Sequence, residues 1–133
     1  MRVLIDTNVI LDVWLAREPF LMDSARILSA AENRLICGII CPTTVTTLHY
    51  LVIKEKGDNK ARSLLQSLLS ICEIGSLHRS GIEIALKSKI GDFEDAVIEA
   101  VALETKVDII ATRNLPDFKH SRVPAKEPHQ ITW

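Results

Sequence analysis

The stretch that most constrains the fold is the first dozen residues, which read MRVLIDTNVILD. Residues 2–5 form a short β-rich run typical of a strand, and Asp6 ends it. Thr7 and Asn8 can cap the apolar-periodic segment that follows, so the pattern predicts a strand, a turn and a helix. Ligands of open α/β sheets bind at the carboxyl ends of the strands. Asp6 is therefore a candidate for chemistry, although by itself it could equally be a helix cap.

Strand and helix patterns alternate along the rest of the chain. Further strands are predicted at residues 35–41, 71–77 and 107–111, and helices at 19–33, 43–56, 59–70, 78–88 and 95–106. Val123 or residues 131–133 could add an edge strand. Such alternation implies right-handed crossovers, and we predict a single domain spanning residues 1–133, a three-layer α/β/α fold with a central parallel sheet of four to five strands.

The composition indicates neither a disordered nor a fibrous protein. The 133 residues are 47% apolar and 25% charged, which is ordinary globular usage. A formal net charge of −1 means that any nucleic-acid contact must come from a local patch or from a bridging metal ion. Cys37, Cys41 and Cys72 have no CxxC spacing, so neither a disulfide framework nor a zinc site is expected. No secretion signal or membrane-spanning run appears, so we expect a cytoplasmic protein with no membrane partner.

Two later stretches place more polar groups near the predicted edge. They read GDFEDAVIEAVA at residues 91–102 and IIATRNLPDF at residues 109–118. If the second lies at the end of a parallel strand and the first opens a helix nearby, several carboxylates converge without a basic partner. A divalent cation would relieve their repulsion, and ligation by oxygen alone suits Mg²⁺ or Mn²⁺. Such an ion can activate water and polarise a phosphodiester, which suits hydrolysis of a nucleic-acid backbone.

The three motifs, in this order, resemble those of the PIN-domain family of metal-dependent ribonucleases. The resemblance extends from Arg2 to Phe118. Within that family the resemblance is to compact toxins of VapC type, which implies RNA as substrate, a homodimer and a small antitoxin protein as partner. The site residues that the resemblance implies are Asp6 and Asp95 as catalytic residues and principal metal ligands; Asp92, Asn114 and Asp117 as ligands directly or through water; and Thr7, Asn8 and Thr112 in support. Asp92 and Asp117 could instead be caps, and Asn114 could serve turn geometry.

One position departs from the family pattern. A glutamate is expected in the helix after the second strand, where this chain reads TTVTTLH at residues 43–49. One alignment puts His49 at the glutamate position and another puts Thr47 there, and neither side chain is a carboxylate. Catalytic competence therefore does not follow from the resemblance, and the alternative is a catalytically weakened PIN protein that binds nucleic acid or regulates. A nucleotide-binding module is a third alternative, but the chain has no GxGxxG or P-loop motif.

Basic residues near the acidic motifs are candidates for binding the substrate. Arg113 lies inside the turn after the fourth strand, and we predict that it and Lys119 contact phosphates. His120, Arg122, Lys87 and Lys89 are close to the same motifs in sequence. The two helices at residues 43–70 predict a helical hairpin, which could pack on the body of the domain or meet a partner.

Overall fold

The computed structural model describes residues 1–133 and shows a five-stranded parallel sheet between two layers of helices. The strands are β1 (Arg2–Ile5), β2 (Cys37–Ile40), β3 (Cys72–Ile74), β4 (Ile109–Ala111) and β5 (Ala125–Lys126). The helices are α1 (Thr7–Trp14), α2 (Leu21–Glu32), α3 (Pro42–Lys56), α4 (Asp58–Ile71), α5 (Arg79–Leu86) and α6 (Phe93–Glu104). Short 3₁₀ turns lie at Leu115–Phe118 and Pro128–Gln130. The predicted three-layer α/β/α fold is confirmed.

Each face of the sheet is covered by its own hydrophobic cluster. Val3 and Ile5 of β1 pack with helices α1 to α4 on one face, and Leu4 packs with α5 and α6 on the other. This alternation follows from the two-residue period of a strand, and burial on both faces explains why β1 is almost continuously apolar. None of the helices combines the length and the apolar character that crossing a membrane requires.

The strand order β3-β2-β1-β4-β5 places a topological switch point beside β1. From β1 the chain moves outward through β2 to β3, and it then crosses to the other side of β1 to form β4 and β5. Ile5 pairs with Ala111, so Asp6 and Thr112 are the residues that directly follow two adjacent strands. Their positions open into the crevice where ligands bind in folds of this type.

The carboxyl-terminal part of the fold and the start of α6 differ from the sequence expectation. The edge strand forms at Ala125–Lys126 and not at Val123 or residues 131–133, because its pairing with β4 uses the carbonyls of Pro124 and Lys126. The final residues pack on α2 instead: Ile131 is buried, and Arg26 donates to its carbonyl at 2.8 Å. Helix α6 begins two residues earlier than predicted, because the side chain of Asp92 caps it.

Candidate active site

A cavity of about 260 Å³ lies at the carboxyl edge of the sheet, beside the switch point. Its lining residues are Asp6, Thr7, Asn8, Leu11, Asp92, Glu94, Asp95, Asn114 and Asp117. The structure thus brings together all the acidic residues that the sequence nominates, from β1, α6 and the turn after β4. No lysine, arginine or histidine lines this cavity. We call it the acidic cavity.

Asp6 is buried and held by three donors. The backbone N–H of Thr7 donates to its Oδ1 at 2.8 Å, and Thr112 Oγ1 and Asn8 Nδ2 donate to its Oδ2 at 2.7 and 3.0 Å. Burial raises the pKa of Asp6 above its ordinary value, while these hydrogen bonds oppose the shift by favouring the carboxylate. The orientation of the Asp6 side chain is therefore fixed by the first two residues of α1 and by the residue that follows β4.

The polar groups around Asp6 also fix the turn after β4. Thr112 Oγ1 accepts from the backbone N–H of Asn114 at 3.0 Å, and Asn8 Oδ1 accepts from that of Arg113 at 3.2 Å. Thr112 is fully buried, so its hydroxyl serves the protein interior. Asn8 and Thr112 hence lie where the sequence placed them, beside the carboxylate that they were expected to support.

Asp92 and Asp95 occupy the first turn of α6. Asp92 Oδ1 accepts from the backbone N–H of Asp95 at 3.0 Å, so Asp92 is a helix cap and a cavity residue at once. Asp95 is half-buried, and its pKa is raised to about 7 by burial first and then by the negative charges of Asp6, Asp92, Asp117 and Glu94. The first turn of α6 therefore brings like charges together at some cost in free energy.

The donor chemistry of the acidic cavity fits a hard divalent cation. Five carboxylates and two side-chain amides line it, so every anionic ligand would be an oxygen. No three acidic, histidine or cysteine side chains already stand as a complete ligand set. Binding an ion would thus require these carboxylates to approach one another, which neutralisation of their repulsion favours.

The structure does not bring His49 to this cavity. Its Nε2 lies 2.7 Å from Asp58 Oδ1, at the start of α4. The face of α3 that meets the site is marked by Thr44, whose hydroxyl contacts that of Thr7 at 3.1 Å. Thr47 lies three residues further along that face, whereas His49 is rotated away from it. Of the two candidate residues, Thr47 and not His49 lies near an acid that lines the cavity.

Arg113 is likewise engaged elsewhere. Its Nε and Nη2 donate to the two oxygens of Asp12 at 2.7 and 2.8 Å, and its guanidinium stacks on Phe20 at 3.8 Å from the ring centroid. Asp12 has no solvent exposure, so this is an ion pair between the β4 turn and the buried side of α1. Lys119 is exposed and does not line the acidic cavity.

A larger cavity of about 410 Å³ carries the opposite charge. It is lined by Ile84, Lys87, Ser88, Lys89, Glu99, His120 and Arg122, and we call it the basic cavity. Glu99 is buried at its base, where it accepts from Arg122 N at 2.7 Å and from Arg122 Nη2 at 3.0 Å. Burial alone would raise the pKa of Glu99, but its bonds to Arg122 hold that pKa below the ordinary value. Glu99 therefore orients Arg122 as a fixed cation.

Glu94 is the cavity residue that the sequence interpretation missed. It lies between Asp92 and Asp95, and its Oε1 is 3.5 Å from Thr47 Oγ1 on α3. The signal that could have found it is its place in the acidic run DFED at residues 92–95.

Comparisons with solved structures give the same fold. VapBC2 from Rickettsia felis bound to a DNA fragment from its promoter matches with a TM-score of 0.72 at 20% identity, covering 96% of this chain and 98% of that chain. VapBC-1 from nontypeable Haemophilus influenzae matches at 0.72 and 15% identity, covering 98% and 100%. FitAcB from Neisseria gonorrhoeae matches at 0.67 and 20% identity, covering 97% and 99%.

The sequence itself matches a protein family. No curated protein matches the chain. The family profile described as PIN domain matches residues 2–116, which includes β1, the whole of α6 and the first part of the turn after β4. This chain therefore belongs to the PIN-domain family.

Proposed function

We propose that the protein is a divalent-metal-dependent endoribonuclease of toxin–antitoxin type, which hydrolyses phosphodiester bonds of RNA in the cytoplasm. The observation that carries this proposal is the acidic cavity, where acids from three separate segments meet at the switch point of a PIN fold. The likeness to VapBC and FitAcB structures supports the assignment to toxin–antitoxin systems.

The ion would be Mg²⁺ or Mn²⁺. Asp6 and Asp95 would be its principal ligands, with Asp92, Asn114 and Asp117 binding it directly or through water. When bound, the ion supplies an activated water and neutralises charge on the phosphodiester. Thr7, Asn8 and Thr112 hold Asp6 in place, and the Asp92 cap fixes the start of the helix that carries Asp95.

RNA would be held by the basic cavity. The segment before α6 carries Lys87 and Lys89 as well as Asp92, and the segment after β4 carries Arg122 as well as Asp117. Each segment thus contributes to both cavities, which supports a backbone path from the basic cavity to the acidic one. Lys119 is exposed on the second segment and extends the set of phosphate contacts, while the side chain of Arg113 is committed to Asp12.

A small antitoxin protein would cover apolar side chains that the domain leaves exposed. Helices α3 and α4 form the predicted hairpin, and large hydrophobic residues of this region remain exposed: Tyr50, Leu51, Ile53, Leu69 and Ile74. Contiguous exposed apolar surface is typical of interaction sites. We propose the hairpin for antitoxin contact, and a homodimer would use a further part of the surface.

The absence of an acid from residues 43–49 of α3 favours a second candidate, a PIN protein that binds nucleic acid and cuts it weakly or not at all. The experiment that separates the two is RNA cleavage in Mn²⁺ by the wild type, by Asp6→Asn and by Asp23→Asn. Asp23 is an exposed acid of α2 outside the acidic cavity, so its variant is the matched control.

We expect the wild type and Asp23→Asn to cleave RNA, and Asp6→Asn to lose at least about a hundredfold in rate because a principal ligand is gone. Cleavage by Asp6→Asn at the wild-type rate would refute the proposed site. A wild type that binds RNA without cleaving it would support the second candidate.

A further inference from the structure

No residue of α3 lines the acidic cavity. Thr44 and Thr47 mark the face of α3 that turns toward the site, and both carry hydroxyls where a ligand would need a carboxylate. The hydroxyl of Thr47 has one hydrogen, and its 3.1 Å contact with the carbonyl of Thr43 is the shorter of its two contacts. This helix therefore contributes neither a charge nor a free donor at the position where the family pattern expects glutamate.

Glu94 reaches that position from the opposite helix. It is the second residue of α6, its side chain lines the acidic cavity, and its Oε1 lies 3.5 Å from Thr47 Oγ1. Asp6 and Asp95 line the same cavity. Glu94 is therefore close to Asp6 and Asp95, which we propose as principal ligands. It is also close to Thr47, the α3 residue where a glutamate could be expected.

We infer that Glu94 supplies from α6 the acidic metal ligand that α3 lacks. The inference rests on the proposed metal site and adds a residue to it. The longer side chain matters here, because an aspartate at residue 94 would stop one methylene short of α3. The site would then have five acids, from the end of β1, the start of α6 and the β4 turn, and α3 would provide only hydroxyls.

The simpler role for Glu94 is a favourable charge at the start of a helix. Any acid in the first turn of α6 would give that effect, and Asp92 and Asp95 already do so. The two roles differ in one testable respect. A ligand can be replaced by a carboxylate placed on α3 at the same point of the cavity, whereas an interaction with the helix dipole of α6 cannot.

The test is a calorimetric titration with Mn²⁺ of the wild type, Glu94→Gln and the double variant Glu94→Gln/Thr47→Glu. Glu55→Gln is the control, since it removes one glutamate charge from the exposed far end of α3. Denaturation midpoints of all four proteins report separately on folding. We expect Glu94→Gln to weaken Mn²⁺ binding by about 10- to 100-fold. Removing a group that only hydrogen-bonds to a metal ligand already causes a loss of this size. The double variant should recover most of that affinity, and Glu55→Gln should bind as the wild type does.

The outcomes separate this inference from the proposed function. If the wild type binds Mn²⁺ and Glu94→Gln binds it equally well, Glu94 is not a ligand and the inference is wrong, while the proposed site stands. If the folded wild type binds no Mn²⁺, the proposed metal site is wrong and the inference falls with it. Weakened binding in Glu94→Gln together with recovery in the double variant would establish the ligand role.

Discussion

At the scale of single residues, Arg113 shows how a motif residue can be engaged in holding the fold together. Its guanidinium and the hydroxyl of Ser24 supply the donors to Asp12, with Ser24 Oγ at 2.9 Å from Asp12 Oδ2. The pair fastens the turn after β4 to α1, and Asp6 caps α1 from its other end. The sequence places Arg113 in the correct turn, but the direction of its side chain depends on Asp12, which lies 101 positions earlier in the chain.

Replacing Arg113 by alanine should act mainly on stability. The change leaves Asp12 buried without its cation, and loss of one partner of a buried ion pair typically lowers the free energy of unfolding by about 3–5 kcal/mol. Urea denaturation measures this. The matched control is Arg62→Ala, which breaks an exposed pair with Asp58 and should leave the free energy of unfolding nearly unchanged. Equal midpoints for the two variants would show that the Asp12 pair is not structural.

At the scale of elements, local patterns were sufficient for the framework and insufficient for the helix faces at the site. Strand and helix types follow from apolar periodicity, and Asp6 follows from its place after β1. Whether His49 or Thr47 faces the site depends instead on how α3 is rotated against α1, and Glu94 reaches α3 only because α6 packs across the edge. These are tertiary contacts between segments far apart in sequence, which no local pattern encodes.

The segments that flank α6 lead to a prediction about RNA binding. Lys87→Gln/Lys89→Gln removes two cations from the basic cavity and should weaken RNA binding. Each lost phosphate contact on a single strand should reduce the slope of log affinity against log salt by about 0.7. Filter binding over a salt series in metal-free buffer measures both quantities. The control is the double variant Lys56→Gln/Lys60→Gln, whose lysines lie at the exposed junction of α3 and α4. If the two double variants weaken RNA binding equally, the basic cavity is not the RNA site.

At the scale of the whole molecule, the carboxylates at the acidic edge of the sheet lower the stability of the fold. Two hydrophobic clusters hold the sheet from both faces, so the edge between them can gather carboxylates that repel one another. Burial and like charge raise the pKa of Asp95 from 3.8 to about 7. Asp6 is shifted in the same direction, mainly by burial. Such a site is most stable when a proton or a cation occupies it.

The pH dependence of stability should therefore reveal the site without any assay of cleavage. Between about pH 4 and about pH 7 the native state binds more protons at Asp95 than the unfolded chain does, so its stability falls as the pH rises through this window. Because Asp95 is only half-buried, solvent screening limits the expected loss to on the order of 1–2 kcal/mol. The pKa of Glu99 is lowered, so Glu99 makes stability rise with pH, but mostly below about pH 4.5. The variant Asp95→Asn isolates the contribution of Asp95 to the pH dependence. In thermal unfolding with a chelator present, the stability of Asp95→Asn should decline less with rising pH than that of the wild type. In a separate measurement, Mn²⁺ at a hundred times its dissociation constant should raise the free energy of unfolding of the wild type by about 2.7 kcal/mol. A wild type and an Asp95→Asn variant with parallel profiles would mean that Asp95 ionises at its ordinary pKa, and the electrostatic strain attributed to this edge would then be wrong.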